Sequence, residues 1–76
     1  MLDVIVELLA AKLDVDKGSI TKNTNLADDL HLDSLDMVEL ALAMQDELGI
    51  AEIPDELLAE IHTVGELARV AEKLIK

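Results

Sequence analysis

A chain of 76 residues has room for one domain, with a core too small to shelter a deep catalytic cleft. It has no cysteine, so no disulfide or zinc thiolate staples it; the 51% apolar content must do so through helices that pack apolar stripes. The net charge of −11 excludes DNA or RNA and anionic lipid as partners and favours proteins with basic patches.

At the amino end, Ile5, Leu9 and Leu13 recur at i, i+4 and i+8, and Leu2, Val6 and Leu8 broaden the same face. That periodicity predicts a first helix over Leu2 to Leu13. No basic cluster precedes an apolar run there, and no stretch reaches the length of a membrane span. The expectation is a soluble, unexported, cytoplasmic monomer with no membrane insertion.

Asp14 to Leu32 reads as a long loop, with Gly18, Asn23 and Asn25 as turn residues and Val15, Ile20, Leu26 and Leu30 as anchors to the core. Its first residues resemble the start of a calcium loop. The glycine falls one residue early, however, and the twelfth position is Asn25 instead of Glu, so no calcium loop is expected.

Asp33-Ser34-Leu35-Asp36 begins the next element. Asp33 suits an N-cap, and Asp36 places a second carboxylate in the first turn, where free N–H groups and the helix dipole favour negative charge. Ser34 then projects at the positive end of a helix, a position suited to a phosphate ester, although for these four residues alone ordinary capping chemistry is the favoured reading. The helix runs from about Leu35 to Leu48 and stops at Gly49, a left-handed cap. Met37, Leu40, Ala41, Met44 and Leu48 form its inner face, and Leu35, Glu39, Leu42 and Asp46 its outer one, with Asp36 and Gln45 nearby.

Pro54, Asp55 and Glu56 predict a short third helix over Pro54 to Ile61. Thr63-Val64-Gly65-Glu66 is a capping box opening a fourth, with Val64, Leu67, Val70, Ala71 and Leu74 as its stripe and Arg69, Lys73 and Lys76 near its negative end. The fold class is therefore all-α: a four-helix bundle of three main helices and one short one, with a long first loop, forming a single domain over 1–76.

Charge is unevenly spread. No Lys or Arg lies between Asn23 and Ala68, while twelve of the seventeen acids do. Catalytic sets are missing as well. His31 lies three residues before Ser34, but no orienting acid or oxyanion hole is evident, and neither His31 nor His62 belongs to a pair with metal-ligand spacing. Both read as partly exposed loop residues, and the protein is not expected to be an enzyme.

The run from Leu26 to Leu40, LADDLHLDSLDMVEL, resembles the attachment region of bacterial acyl carrier proteins. The resemblance extends to the apolar first helix, the Gly18 to Asn25 loop, Ile53-Pro54-Asp55-Glu56 and the His62-Thr63-Val64 entry to the last helix. It implies that a holo-carrier synthase (phosphopantetheinyl transferase) attaches 4'-phosphopantetheine from coenzyme A to Ser34, flanked by Asp33 and Leu35. The arm's thiol then carries acyl groups as thioesters for fatty acid and lipid biosynthesis. It also implies that Leu35, Asp36, Glu39, Leu42, Asp46 and Glu56 meet the basic docking patches of enzymes that synthesise and transfer acyl chains. Val38, Leu40, Met44, Leu48, Ile53, Leu57, Ile61 and Leu67 are candidate lining for an acyl pocket.

The sequence departs from its relatives at several points. Leu26 and Leu48 stand where Phe is common, Gly49-Ile50-Ala51 is one residue longer than usual, and His31-Leu32 replaces a Gly-containing pair. Two other readings stand beside the fatty-acid carrier. One is a specialised paralogue serving lipopolysaccharide (lipid A), polyketide or aminoacyl units; the other is an acidic interaction bundle whose Ser34 is never modified.

Crowding twelve acids into the middle of a small domain costs stability through repulsion. Millimolar Mg²⁺ or Ca²⁺ is therefore expected to raise the Tm more than NaCl of equal ionic strength. No specific metal site is expected; Asp28, Asp29, Asp33 and Glu39, or Asp46 with Glu47, are weak candidates for the effect. Equal thermal midpoints in the two salts would count against it.

Overall fold

The computed structural model describes residues 1–75. Four helices follow in order: α1 (Leu2–Leu13), α2 (Ser34–Leu48), α3 (Asp55–Glu60) and α4 (Val64–Lys73), with one 3₁₀ turn at Lys17–Ser19. Two isolated bridges, Asn25 with Thr63 and Ile50 with Ile75, are the β-pairings found among the described residues. The all-α architecture expected from periodicity is what forms. No helix among the described residues is long and apolar enough to cross a membrane.

The helix ends follow the capping chemistry of the sequence. Asp33 caps α2, and Gly49 ends it in left-handed backbone at φ 66°, its N–H bonded to the Gln45 carbonyl. Pro54 caps α3 without entering it, so that helix begins one residue later than expected and ends at Glu60. Thr63 and Glu66 form the capping box of α4. Lys76, expected near the end of α4, lies outside the described residues.

Packing sets α1 against α4 and the 3₁₀ turn, and α2 against α3. Ile5, Leu9, Leu26, Met44, Val64 and Leu67 are fully buried, and each large aliphatic side chain so placed stabilises the fold by about 1.5–3 kcal/mol. Met37 and Leu48 pack at the edge of this core.

The loop departs from expectation at Val15, which is exposed instead of anchoring. Asp14 takes left-handed backbone at the end of α1, and Asp16 then caps the 3₁₀ turn, which leaves Val15 on an outside corner. Ile20 and Leu26 do anchor the loop, joined by Leu32 and Thr24, while Leu30 is half-buried. The Thr24 hydroxyl accepts the Thr21 N–H at 2.8 Å, so its burial leaves no polar atom unpaired.

Main-chain bonds then sew this loop to the start of α4. The Leu26 N–H donates to the His62 carbonyl at 2.8 Å, Val64 N–H to Thr24 at 3.0 Å, and Gly65 N–H to Lys22 at 2.8 Å. Gly65 is required there, because a Cβ would stand 2.9 Å from the Lys22 carbonyl oxygen.

The Glu66 carboxylate accepts the N–H groups of His62 (2.9 Å) and Thr63 (3.0 Å), and these hold its pKa below the ordinary carboxylate range. A carboxylate whose folded pKa is depressed contributes stability above its unfolded pKa and loses it as pH falls through the folded one. Glu66→Gln is therefore expected to melt below the parent at neutral pH, with the gap closing in acid. A gap independent of pH would overturn this.

Candidate functional site

Ser34 occupies the first position of α2 and is exposed. What holds it there is a reciprocal pair: the Asp33 carboxylate accepts the Asp36 N–H at 2.8 Å, and the Asp36 carboxylate accepts the Asp33 N–H at 3.2 Å. Two like charges tolerate this proximity because each accepts a backbone N–H at the positive end of a helix. The N–H groups of Ser34 and Leu35 have no partner within the helix, so the hydroxyl sits beside donors that suit an anion.

A groove of about 590 Å³ opens beside the serine. Leu32, Asp33, Ser34, Met37 and Val38 line one side, with Ala27 from the loop; Asp55, Leu58 and Ala59 of α3, with Ile61 and His62, line the other. A smaller pocket of about 170 Å³ adjoins it, sharing Val38, Asp55 and Leu58 and adding Ile53, Leu42 and Gln45. The site thus combines an accessible hydroxyl, an anion-favouring helix end and an apolar trough. That combination fits a phosphodiester whose flexible arm carries an apolar cargo.

The structure disperses the other candidate pocket residues. Val38 and Ile61 line the groove and Ile53 the adjoining pocket. Leu40 faces a separate cleft of about 290 Å³ between α1 and α2, with Leu9, Lys12, Asp36 and Glu39. Met44 and Leu67 are sealed in the core, and Leu48 and Leu57 pack at its edge. Leu32, Leu58, Ala59 and His62 were not singled out as groove residues from the sequence; the Leu58 to Ile61 spacing on the short helix was the available signal.

The outer face of α2 is mixed in character. Leu35 is 66% exposed and Leu42 58%, so two large aliphatic side chains stand in water beside exposed Glu39 and Asp46, with Glu56 exposed on α3 and Asp36 half-buried. Among the described residues no group of three or more His, Cys, Asp or Glu side chains converges as a metal site. Asp29 and Asp33 use their carboxylates to accept the N–H groups of Asn25 and Asp36, while Asp28 and Glu47 point outward in exposed positions.

A family model described as "Phosphopantetheine attachment site" matches residues 3–71. A protein of Lactobacillus acidophilus (strain ATCC 700396 / NCK56 / N2 / NCFM) named "Acyl carrier protein" is 52% identical over 62 residues, covering 82% of this chain and 76% of that protein. The chain belongs to the acyl carrier protein family. It is a carrier in fatty acid biosynthesis and not an enzyme, and its cofactor is covalently bound 4'-phosphopantetheine. Membership also brings it into contact with fatty acid synthesis enzymes and a phosphopantetheinyl transferase.

The cap on α2 can be measured directly. Asp33→Ala is expected to cost about 1 kcal/mol, seen as a lower urea midpoint at unchanged m-value, whereas Asp33→Asn keeps a capping oxygen and stays close to the parent. An Ala variant as stable as the parent would show that the cap does not hold the start of α2.

Proposed function

We propose that Ser34 is the attachment residue, and that residues 1–76 act as one cytoplasmic, monomeric carrier domain. The observation that supports this is the coincidence of an exposed serine, a helix N-terminus and an apolar groove at one place. The chain has one other serine, and Ser19 is engaged in the 3₁₀ turn, its hydroxyl donating to the Asp16 carbonyl at 2.7 Å. In the loading step the Ser34 oxygen attacks the phosphorus of coenzyme A that bears pantetheine. A P–O bond forms to serine, the pyrophosphate bond breaks, adenosine 3',5'-bisphosphate leaves, and the serine proton passes to a base on the transferase. When bound, the group supplies a thiol that carries acyl chains as thioesters.

Leu35, Asp36, Glu39, Leu42, Asp46 and Glu56 form the face read by basic patches on partner enzymes. Charge gives such contacts speed and salt sensitivity, which suits a carrier that must leave each enzyme quickly, and the two exposed leucines add a short-range apolar contact. Val38, Ile53 and Ile61, with Met37 and Leu58, line the trough in which an acyl chain is sheltered.

Intact mass after incubation with coenzyme A, Mg²⁺ and a broad-specificity transferase tests the site. The parent and Ser19→Ala are expected to gain one phosphopantetheine and Ser34→Ala none. A gain in Ser34→Ala would overturn the assignment.

A further inference from the structure

In the acidic middle of the chain only His31 and His62 can carry positive charge, because no Lys or Arg lies between Asn23 and Ala68. Both side chains are exposed, but only one of them lies at the groove. His31 is exposed on left-handed backbone at φ 58° and does not line the groove. Lys12, the nearest comparison on α1, lines the separate cleft with Asp36 and Glu39. His62 lines the same groove as Ser34, and it is the one lining residue able to become a cation.

Its backbone is held on both sides. The His62 N–H donates to Glu66 at 2.9 Å, and its carbonyl accepts the Leu26 N–H at 2.8 Å. The imidazole is therefore presented from a fixed main chain, with only its own rotamers to settle. A diester on Ser34 would add negative charge next to Asp33 and Asp36, which the helix dipole offsets only in part.

We propose that His62 is a positioning residue for the phosphodiester on Ser34, its ring N–H donating to a phosphate oxygen so that the arm lies along the groove. This rests on the Ser34 reading above. A neutral imidazole offers one donor and an imidazolium offers two plus a charge, so protonation of the ring strengthens its hold on the arm. Asp33 from the cap of α2 and Asp55 from α3 line the same groove as His62, and Glu66 from α4 accepts its backbone N–H, while the loop contributes only Ala27 and Leu32 to the groove. Those acids are the same with and without the arm.

The test is ³¹P NMR of holo protein from pH 5 to 8, after peptide mapping has placed the diester on Ser34, so that failure of the attachment reading is seen first. The phosphorus resonance of the parent is expected to move with pH, and the movement to be lost in His62→Gln and kept in His31→Gln. Glutamine retains a donor while removing the charge change, and circular dichroism confirms that the variant is folded. A resonance that does not move in the parent, or that still moves in His62→Gln, would overturn the proposal.

Discussion

The loop of residues 14–33 has no regular structure to hold it beyond a single 3₁₀ turn, and the three main-chain bonds from Lys22, Thr24 and Leu26 to residues 62–65 do that work. The frame of the groove depends on them. They bury Leu26 and Leu32, which aims the chain at Asp33, and they join Ala27 and Leu32 to Ile61 and His62 as one frame around the groove. Both sides of the trough are then referred to the same piece of backbone, and only α2 and α3 remain to be packed onto it.

Within that frame, negative charge is used twice for the same purpose. Asp33 with Asp36, and Thr63 with Glu66, each close a helix end by exchanging bonds between side chain and backbone. At α4 the result is only a stable start. At α2 the same device leaves a hydroxyl in the first turn with unpaired N–H groups beside it, so a structural element also prepares the place where a charged ester sits. The remaining acids are spread over exposed positions, where they form a field and not a ligand set.

Much of this was readable from the sequence, for identifiable reasons. Helix positions follow from the 3.6-residue period of leucine and isoleucine, and the ends of α2 and α4 from Asp33, Gly49 and Thr63, because capping is a local matter between side chain and backbone. The seam was not readable, since main-chain bonds leave no mark in side-chain identity; Gly65 was its only trace. Val15 looked like an anchor because it is apolar, yet a left-handed Asp14 turned it outward. The pocket candidates mixed buried core with groove lining, as period alone finds the inward face of a helix and cannot tell which part of that face meets a neighbour. His62 resembled an ordinary loop residue until the fold placed it among the residues lining the Ser34 groove.

The shortness of α3 has a consequence for motion. Six residues are too few to sustain a helix in water, so α3 owes its order to Leu58 in the core and to buried Ile53 and Ile61 on either side. If those two flanking residues stay in place, lifting the helix withdraws buried Leu58 and half-buried Leu57, at roughly 2–4 kcal/mol. That energy corresponds to an outward state populated on the order of one per cent or less, reached by local unfolding while the seam and α1–α4 packing stay intact. A six-residue wall held between two isoleucines thus gives the trough one side that yields at lower cost than the packed core.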